Sequence, residues 1–233
     1  MKMVTLSSGS QGNCYLLETD TETLILDCGI PMKDIKIGLD FDLSKVAGVV
    51  VSHGHQDHVK SVEDLKKYGI PIWQPYLDGF DINRVQKRGY GKFKITSFEL
   101  PHDGINNCGF LIEISGQKIL YMTDFEYCRY VFKKQNVNHI LIECNYQQEY
   151  VDRDLPNFEH KVRGHCSLAT CKDFIRANAT DALHTVLLLH MGQGTCDPIE
   201  CVGEIQEVVN KSYVDYARAG LEVELKKKGE CPF

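Results

Sequence analysis

Short apolar runs rich in Val, Ile, Leu and Tyr alternate with turn residues along almost the whole chain. Runs of this length and composition are typical of β-strands. The tripeptide Ser115-Gly116-Gln117, between two such runs, has the composition of a hairpin turn. The strands predicted on this basis cover residues 14–18, 23–27, 47–52, 93–100, 109–114, 118–123, 138–143, 185–190 and 221–225.

Apolar positions at helical spacing predict helices between several of these strands. One predicted helix begins with Asp197-Pro198-Ile199-Glu200, which combines an N-cap, a proline at the first helical position and a capping-box glutamate. Hairpins come first along the chain and alternation with helices comes later, an order that favours sheets covered by helices over a simple parallel wound sheet. The predicted helices cover residues 61–68, 76–88, 127–134, 167–178 and 197–211.

Length and composition place the chain among ordinary globular proteins. It has 233 residues, of which 43% are hydrophobic and 25% charged, so we expect one domain over residues 1–233. This composition excludes a disordered chain and a coiled coil. No apolar run approaches the ~18 residues of a membrane span, and no charged-then-apolar leader follows Met1. We therefore expect a cytoplasmic protein that does not bind membranes.

Net charge and cysteine usage narrow the chemistry. A net charge of −6 excludes a globally basic nucleic-acid binder, but it allows a local basic patch or an acidic site neutralised by metal. The ten cysteines are scattered and form no CxxC pair. We expect most of them to be reduced thiols packed as small hydrophobes, and we expect no cysteine metal site.

Three histidines and an aspartate occupy the six residues His53-Gly54-His55-Gln56-Asp57-His58, directly after a buried-looking apolar run. Imidazole and carboxylate groups are ligands for Zn²⁺, Mn²⁺ and Fe²⁺. Because the loop is so short, one ion cannot easily use all four side chains, whereas two ions can share them. A purely structural role is disfavoured, because burying four ionisable groups without a cation would be costly.

This His-x-His-x-Asp-His pattern resembles the signature of the metallo-β-lactamase-fold hydrolases. Residues 24–29, 101–103 with Gly109-Phe110, 121–124 and 188–191 resemble the other motifs of that family. The resemblance implies an α/β fold, a four-layer αββα sandwich, with a dinuclear metal site at the sheet edge. The ligands that it implies are His53, His55 and His102 for one ion and Asp57, His58 and His190 for the other, with Asp124 bridging both.

Two segments are similar to a narrower group, the exonuclease-type bacterial and phage proteins associated with cell-wall regulation loci. They are residues 7–14 (SSGSQGNC) and residues 164–167 (GHCS), the latter after the ECN segment at 143–145. The second similarity extends to tRNA 3′-processing endonucleases and cyclic phosphodiesterases. There are two departures: residues 192–196 (GQGTC) lack an expected Asn pair, and Gln147 replaces an acidic residue. Both concern the choice of substrate, because every metal position is present.

Five residues outside the ligand set are candidates for other roles. Asp27 is either a turn-forming aspartate or, as the resemblance implies, a group that orients the ligand loop. Ser8 and Asn13 belong to a loop that binds phosphate through backbone N–H groups, unless it is a simple hairpin turn. His165 is the candidate general acid and Glu143 the group that holds its ring. The alternative makes His165 a helix-cap neighbour and Glu143 a structural strand-end group.

A basic stretch with no acidic residue runs from 82 to 98. It holds Arg84, Lys87 and Arg88, with Tyr90 and Phe93 close by in sequence. Cations that hold phosphates and rings that stack on bases form a platform for single-stranded nucleic acid. The alternative interpretation is a solvated helix end.

The function that this pattern favours is a metal-dependent phosphodiesterase that acts on nucleic acid. Among such enzymes it favours a DNA exonuclease. Two divalent ions (Zn, Mn or Fe) would share a hydroxide of lowered pKa that attacks phosphorus, with Asp57, Glu143 and His165 as the catalytic residues. One alternative is a hydrolase of a lactone, a thioester or a cyclic nucleotide with the same metal site. Another is a non-catalytic, metal-stabilised binding protein. No protein partner can be inferred from the sequence.

Overall fold

The computed structural model describes residues 1–79, 86–152, 154 and 158–226. These residues form two β-sheets with helices on their outer faces. The first sheet contains β1 (Lys2–Ser7), β2 (Cys14–Glu18), β3 (Thr23–Leu26), β4 (Val46–Val50), β5 (Ile72–Trp73) and β13 (Glu222–Glu224). The second contains β6 (Gln86–Tyr90), β7 (Phe93–His102), β8 (Ile105–Ile114), β9 (Gln117–Met122), β10 (His139–Glu143), β11 (Thr185–Leu189) and β12 (Tyr213–Tyr216). The helices are α1 (Met32–Gly38), α2 (Gln56–Val59), α3 (Val62–Lys67), α4 (Phe158–Gly164), α5 (Leu168–Asn178) and α6 (Pro198–Val209).

Both sheets are mixed. The first has the strand order β13-β1-β2-β3-β4-β5, antiparallel from β13 to β3 and parallel from β3 to β5. The second has the order β12-β11-β10-β9-β8-β7-β6, parallel from β12 to β9 and antiparallel from β9 to β6. Parallel neighbours bring their carboxyl ends to one edge of a sheet, which is where open α/β sheets place their functional groups.

Three apolar cores hold the layers together. The core between the sheets takes Leu24 from the first sheet and Tyr121 from the second. Successive strand residues point to opposite faces, so Ile25 enters a second core beneath α1 and α3. A third core packs the outer face of the second sheet against α5 and α6. The predicted four-layer αββα sandwich is confirmed: two mixed sheets lie between flanking helices.

Burial on both faces explains why the strands were readable as continuous apolar runs. Each of the nine predicted strands coincides with an observed one, although β8 begins four residues before the predicted start at residue 109. The strands β1, β5, β6 and β12 were not predicted. Of these, β5 has only two residues, and β6 carries charged side chains on an outer edge of its sheet.

The predicted helix over residues 76–88 is wrong. A 3₁₀ turn at Pro75–Asp78 occupies its start and strand β6 occupies its end, while residues 80–85 lie outside the described ranges. Tyr90 pairs with Phe93, so Gly91 and Lys92 form a two-residue hairpin loop. Gly91 has a φ of 53°, the left-handed conformation that the first position of such a loop requires.

The predicted helix over residues 127–134 is also wrong. Residues 127–132 are irregular, and a short 3₁₀ turn at Lys133–Gln135 follows them. Its apolar residues Cys128, Tyr130 and Phe132 all pack against the outer core of the second sheet. A spacing of two residues presents them on one side of an extended chain, not of a helix.

The other three predicted helices are confirmed as α3, α5 and α6. The predicted N-cap of α6 is also confirmed, because the Asp197 carboxylate accepts hydrogen bonds from the backbone N–H groups of Ile199 and Glu200. The helices α1, α2 and α4 were not predicted. In the part of the chain that the structure describes, no helix combines the length and the apolar character needed to cross a membrane.

The cysteines pack as expected wherever the structure describes them. Nine of the ten are free thiols, and seven of these nine are buried. Cys231 lies outside the described residues.

Close backbone packing fixes α2 beneath the end of β3. The carbonyl oxygens of Asp57 and His58 accept hydrogen bonds from the backbone N–H groups of Asn13 and Cys28, at 2.8 and 2.9 Å. A Cβ atom at Gly29 would lie only 1.6 Å from the Asp57 oxygen. Only glycine permits this approach, and the approach fixes the backbone that carries Asp57 and His58.

Candidate metal centre

The seven side chains predicted as metal ligands lie together at the carboxyl ends of the strands, in two groups. Within each group, one nitrogen or carboxylate oxygen per residue lies within 4.8 Å of all the others. The first group is His53, His55 and His102, and the second is Asp57, His58, Asp124 and His190.

Each ligand position follows from the end of a strand. His53 and His55 lie in the loop after β4, and Asp57 and His58 lie in the single turn of α2 that follows. His102 is the last residue of β7. Asp124 and His190 come shortly after β9 and β11. The separate segments of sequence therefore meet because the sheets bring these strand ends together.

In the first group, three imidazole nitrogens face one another. His53 Nε2 lies 3.0 Å from His55 Nδ1, which lies 3.3 Å from His102 Nε2. The outer nitrogen of His102 donates to the carbonyl oxygen of Gly164 at 2.5 Å. Because the Ser52 hydroxyl donates to Asp27, its oxygen accepts from His53 Nδ1 at 3.0 Å. The Nε2 atoms of His53 and His102 therefore carry no proton, and each can offer its lone pair to a metal ion.

The second group combines two imidazoles with two carboxylates. His58 Nε2 lies 3.4 Å from Asp124 Oδ2 and 3.5 Å from Asp57 Oδ2, and His190 Nε2 lies 3.9 Å from Asp57 Oδ2. Asp124 Oδ2 is also 3.9 Å from His53 Nε2 in the first group. The Asp124 carboxylate therefore lies between the two groups, where a bridging ligand belongs.

A buried carboxylate, Asp27, organises the loop beneath these ligands. It accepts hydrogen bonds from the backbone N–H of Ser52 at 2.8 Å, from His58 Nδ1 at 2.8 Å and from the Tyr121 hydroxyl at 2.5 Å. The bond to His58 turns the Nε2 atom of that ring towards Asp124. Sequence reasoning gave no site role to Ser52 or Tyr121, because a serine beside a histidine and a tyrosine in a strand carry no distinctive signal.

The protonation states of the buried groups suit metal binding. Burial, aided by the charge of His58, holds the pKa of His53 well below its usual value, and burial also lowers the pKa of His102. Burial raises the pKa of Asp124, but the neighbouring His190 and His58 outweigh this and hold it well below the usual range. Neutral imidazoles and an ionised carboxylate are the forms that bind metal.

The pKa of His58 is shifted in the opposite direction, upwards. Burial lowers its pKa, but the charges of Asp124 and Asp27 outweigh burial and raise the pKa well above the usual value. Burial likewise raises the pKa of Asp57, and hydrogen bonding and charge from His58 outweigh it and lower the pKa. A proton on His58 therefore balances the carboxylates that a cation would otherwise neutralise.

The residues fit divalent metal ions. His190 Nε2 is buried and, within the described residues, has no hydrogen-bond partner. An orphaned nitrogen of this kind is costly unless an unseen group binds it. Nitrogen and carboxylate donors in this mixture suit Zn²⁺, Mn²⁺ or Fe²⁺. The ligand positions predicted from the sequence are thus brought together in a form that could hold metal.

Glu143 and His165 lie beside the second group. Glu143 Oε1 accepts from His165 Nδ1 at 2.7 Å and from His190 Nδ1 at 2.9 Å. Its other oxygen accepts from the backbone N–H groups of Phe125 and Cys166. Burial lowers the pKa of His165, but the charge and the hydrogen bond of Glu143 outweigh it and raise the pKa above the usual value.

The loop that carries Ser8 and Asn13 lies against the second group. Ser8 Oγ accepts a hydrogen bond from the backbone N–H of His190 at 2.9 Å. Asn13 Oδ1 accepts from the backbone N–H of Gly9, which leaves Asn13 Nδ2 at 3.1 Å from His58 Nε2. Both side chains therefore lie at the centre, and their predicted contact with substrate remains a prediction.

The basic stretch lies elsewhere, and part of its interpretation is wrong. Tyr90 and Phe93 are buried in the core between the sheets, so they cannot stack on bases. Lys87 and Arg88 are exposed on the outer strand β6, and Arg84 lies outside the described residues. Lys87 pairs with Thr96, about 20 Å from His102 at roughly 3.3 Å per residue along β7.

Three site residues have left-handed backbone conformations. The φ angles of Asp27, Asp124 and His190 are 54°, 50° and 47°. A residue other than glycine held in this region costs of the order of 1–3 kcal/mol, and such residues cluster at functional sites. The sharp turn at each strand end directs these side chains across the sheet edge instead of along the strand.

Comparisons with known proteins give the chain its relatives. It is 24% identical over 165 residues to exodeoxyribonuclease YycJ of Bacillus anthracis, and the match covers 62% of each protein. It is 25% identical over 145 residues to ribonuclease J 1 of Streptococcus pyogenes, where the match covers 49% of this chain and 26% of that protein. The chain thus spans less than two thirds of the length of these curated relatives.

A solved structure and a family model agree with these relatives. The crystal structure of the metallo-beta-lactamase fold protein YhfI from Bacillus subtilis has a TM-score of 0.74 and 18% identity, covering 95% of this chain and 98% of that one. That likeness shows the shared fold. The model of the metallo-beta-lactamase superfamily matches residues 8–131, more than half of the chain. The chain belongs to the metallo-beta-lactamase superfamily.

Proposed function

We propose that this chain is a metallo-hydrolase that cleaves phosphodiesters, with DNA as the favoured substrate. The observation that carries the proposal is the placement of Asp124 between two ligand groups, with the Glu143–His165 pair beside one of them. Relatives named as an exodeoxyribonuclease and as a ribonuclease support a nucleic-acid substrate. The proposal also specifies DNA, rather than RNA, as the preferred nucleic acid.

The seven ligands would hold two divalent ions, one in each group. When bound, such ions lower the pKa of a water molecule and stabilise the negative charge that develops at phosphorus. The residues around them fix the geometry. Asp27 and Gly164 hold the rings of His58 and His102 through their outer nitrogens, so their inner nitrogens keep one direction throughout the reaction.

His165 supplies the remaining requirement, a proton for the leaving oxygen. A sugar alkoxide is a poor leaving group unless it is protonated. Glu143 accepts from the Nδ1 atom of His165, so the Nε2 atom is the one that can donate to a substrate. The His165 ring also stacks on His190 with 5.2 Å between ring centroids, and this contact supports a role for its proton at the metal centre.

The second candidate is a hydrolase of a small ester or cyclic phosphodiester. The observation that favours it is the position of Lys87 and Arg88, about 20 Å from His102, which leaves the centre without a contiguous basic groove from those residues. The assay that separates the candidates uses end-labelled single- and double-stranded DNA and RNA alongside bis-(p-nitrophenyl) phosphate. Degradation of polynucleotides supports the first candidate, and hydrolysis of the small diester alone supports the second.

We predict that the wild-type chain binds two transition-metal ions and that Asp124→Ala weakens both sites, because a bridging carboxylate serves two ions. The measurement is metal content per chain by mass spectrometry after dialysis. Asp34→Ala, which removes an exposed carboxylate from α1, is the matched control and should keep the wild-type content. If Asp124→Ala retained two ions, or if wild type prepared with metal held none, the assignment of a two-ion site bridged by Asp124 would be refuted.

The role of His165 predicts a dependence on the leaving group. His165→Ala should retain its metal and lose about 10²- to 10⁴-fold in turnover on DNA, the usual range for general acid catalysis. The loss should be much smaller on bis-(p-nitrophenyl) phosphate, because nitrophenolate departs without protonation. Metal content and melting temperature serve as controls for folding. Equal losses on the two substrates would refute the proton-donor role.

The basic stretch predicts a change in salt dependence. The triple variant R84Q/K87Q/R88Q should bind single-stranded DNA more weakly and with a flatter dependence on salt, the slope falling by about 0.7 for each phosphate that is no longer neutralised. K133Q/K134Q/R176Q removes three charges from exposed positions and should leave the slope unchanged. Hydrolysis of bis-(p-nitrophenyl) phosphate should barely change in either variant. An unaltered slope in the first variant would make the stretch merely a solvated face.

A further inference from the structure

The short helix α4 contacts the first ligand group and lies near the second. At its C-terminal end, the carbonyl oxygen of Gly164 accepts from His102 Nδ1, and that of Arg163 accepts from the backbone N–H of Asp103. A Cβ atom at Gly164 would lie 3.3 Å from the His102 ring, so this end of α4 packs tightly on the first group. One turn earlier, Lys161 reaches towards the second group.

The ammonium group of Lys161 is half-buried, and the two partners that the described residues offer it are neutral. It donates to Asn145 Oδ1 at 2.9 Å and to Thr195 Oγ1 at 3.0 Å. Among the described residues, no carboxylate oxygen lies within 4.0 Å of it, whereas Lys66 and Lys67 on α3 both pair with carboxylates. Burial lowers the pKa of Lys161, as expected for a partly desolvated cation. A cation withdrawn from water without a counter-ion is unfavourable until an anion joins it.

Asn145 connects Lys161 directly to the metal centre. Its Nδ2 atom donates to the carbonyl oxygen of His190 at 2.8 Å and lies 3.2 Å from His190 Nδ1. His165 contacts the same residue, because its ring stacks on that of His190. Lys161 therefore lies on the side of the centre where the proposed acid meets the substrate.

The substrate would add negative charge to a centre that already contains buried carboxylates, among them Asp124 and Glu143. A phosphodiester brings one further negative charge, and a lysine near the ions is a common device for binding phosphate.

We propose that Lys161 is a substrate-binding residue whose ammonium group binds a non-bridging oxygen of the phosphodiester. This inference rests on the proposed function and adds an anion-binding contact to it. Asn145 and Thr195 hold the ammonium group in place through two of its three N–H bonds, and the third donates to the phosphate oxygen. The same contact binds inorganic phosphate.

The alternative is a purely structural role, in which the hydrogen bonds of Lys161 only link Asn145 to the loop that contains Thr195. The two roles predict different effects of removing the charge of Lys161 and of removing its hydrogen bond to Thr195. Lys161→Gln keeps a hydrogen-bond donor and loses the charge, while Lys161→Arg keeps the charge. Thr195→Val removes that hydrogen bond and leaves the ammonium group intact.

The test is the affinity of the Mn²⁺-loaded protein for inorganic phosphate, measured by titration calorimetry. A charged hydrogen bond of about 1.5–3 kcal/mol corresponds to roughly 10- to 100-fold in affinity, so Lys161→Gln should bind phosphate weaker by about that factor. Lys161→Arg should stay within about threefold of wild type, and Thr195→Val, which removes one of the two positioning contacts, should lose clearly less affinity than Lys161→Gln. Metal content should be unchanged in all three variants.

Steady-state kinetics on bis-(p-nitrophenyl) phosphate provides the second readout. Lys161→Gln should raise KM more than it lowers kcat, because the contact binds the anion in the ground state as well as in the transition state. Equal phosphate affinity in Lys161→Gln and wild type would overturn the proposal, as would a loss in Thr195→Val as large as that in Lys161→Gln. If the wild type hydrolyses no phosphodiester, the proposed function fails, and the phosphate titration still decides the role of Lys161.

Discussion

The whole site depends on one constraint, which is that several ionisable groups are buried close together where the two sheets meet. His53, His58, Asp124 and Glu143 are almost inaccessible to water, and each would be costly to bury alone. They are tolerable only because every charge has an opposite charge or a hydrogen bond facing it. The pKa shifts record this balance, since burial and charge pull the pKa of each carboxylate in opposite directions and charge prevails.

The scaffold meets this constraint by fixing the outer nitrogen of four rings. His58 donates to Asp27, His190 to Glu143, His102 to Gly164 and His53 to Ser52. Each bond selects one tautomer and turns the other nitrogen inwards. The inner nitrogens then converge on the centre, where a bound ion would displace the proton that His58 otherwise carries. The strained left-handed turns at Asp27, Asp124 and His190 serve the same end, because they direct side chains across the sheet edge.

The strands and the His-rich loop could be predicted for physical reasons, whereas His102, Asp124 and His190 were predicted as ligands from the family resemblance. Strands buried on both faces read as continuous apolar runs, and the density of ionisable groups in the His-rich loop indicates a bound cation. The helix predictions at 76–88 and 127–134 failed where local composition competed with tertiary packing. The charged strand β6 has no inward alternation to read, and Cys128, Tyr130 and Phe132 pack from an extended chain. Tyr121, Ser52 and Lys161 were missed because their roles depend on partners distant in sequence.

The basic stretch shows the limit of composition as a guide. Its charges suggested a platform for nucleic acid, yet Tyr90 and Phe93 belong to the core between the sheets. Conversely Lys161, a single lysine on the short helix α4, lies close to the metal centre. Position relative to the ligands, which only the fold determines, separates a solvated cation from one that can contact substrate.

We propose that seven side chains form a site for two ions that share Asp124. The most direct measurement is anomalous X-ray scattering from crystals of the chain grown with Mn²⁺. We expect two strong anomalous peaks, one among His53, His55 and His102 and one among Asp57, His58 and His190, with the Asp124 carboxylate between them. A single peak, or peaks away from these side chains in fully metal-loaded crystals, would contradict the claim.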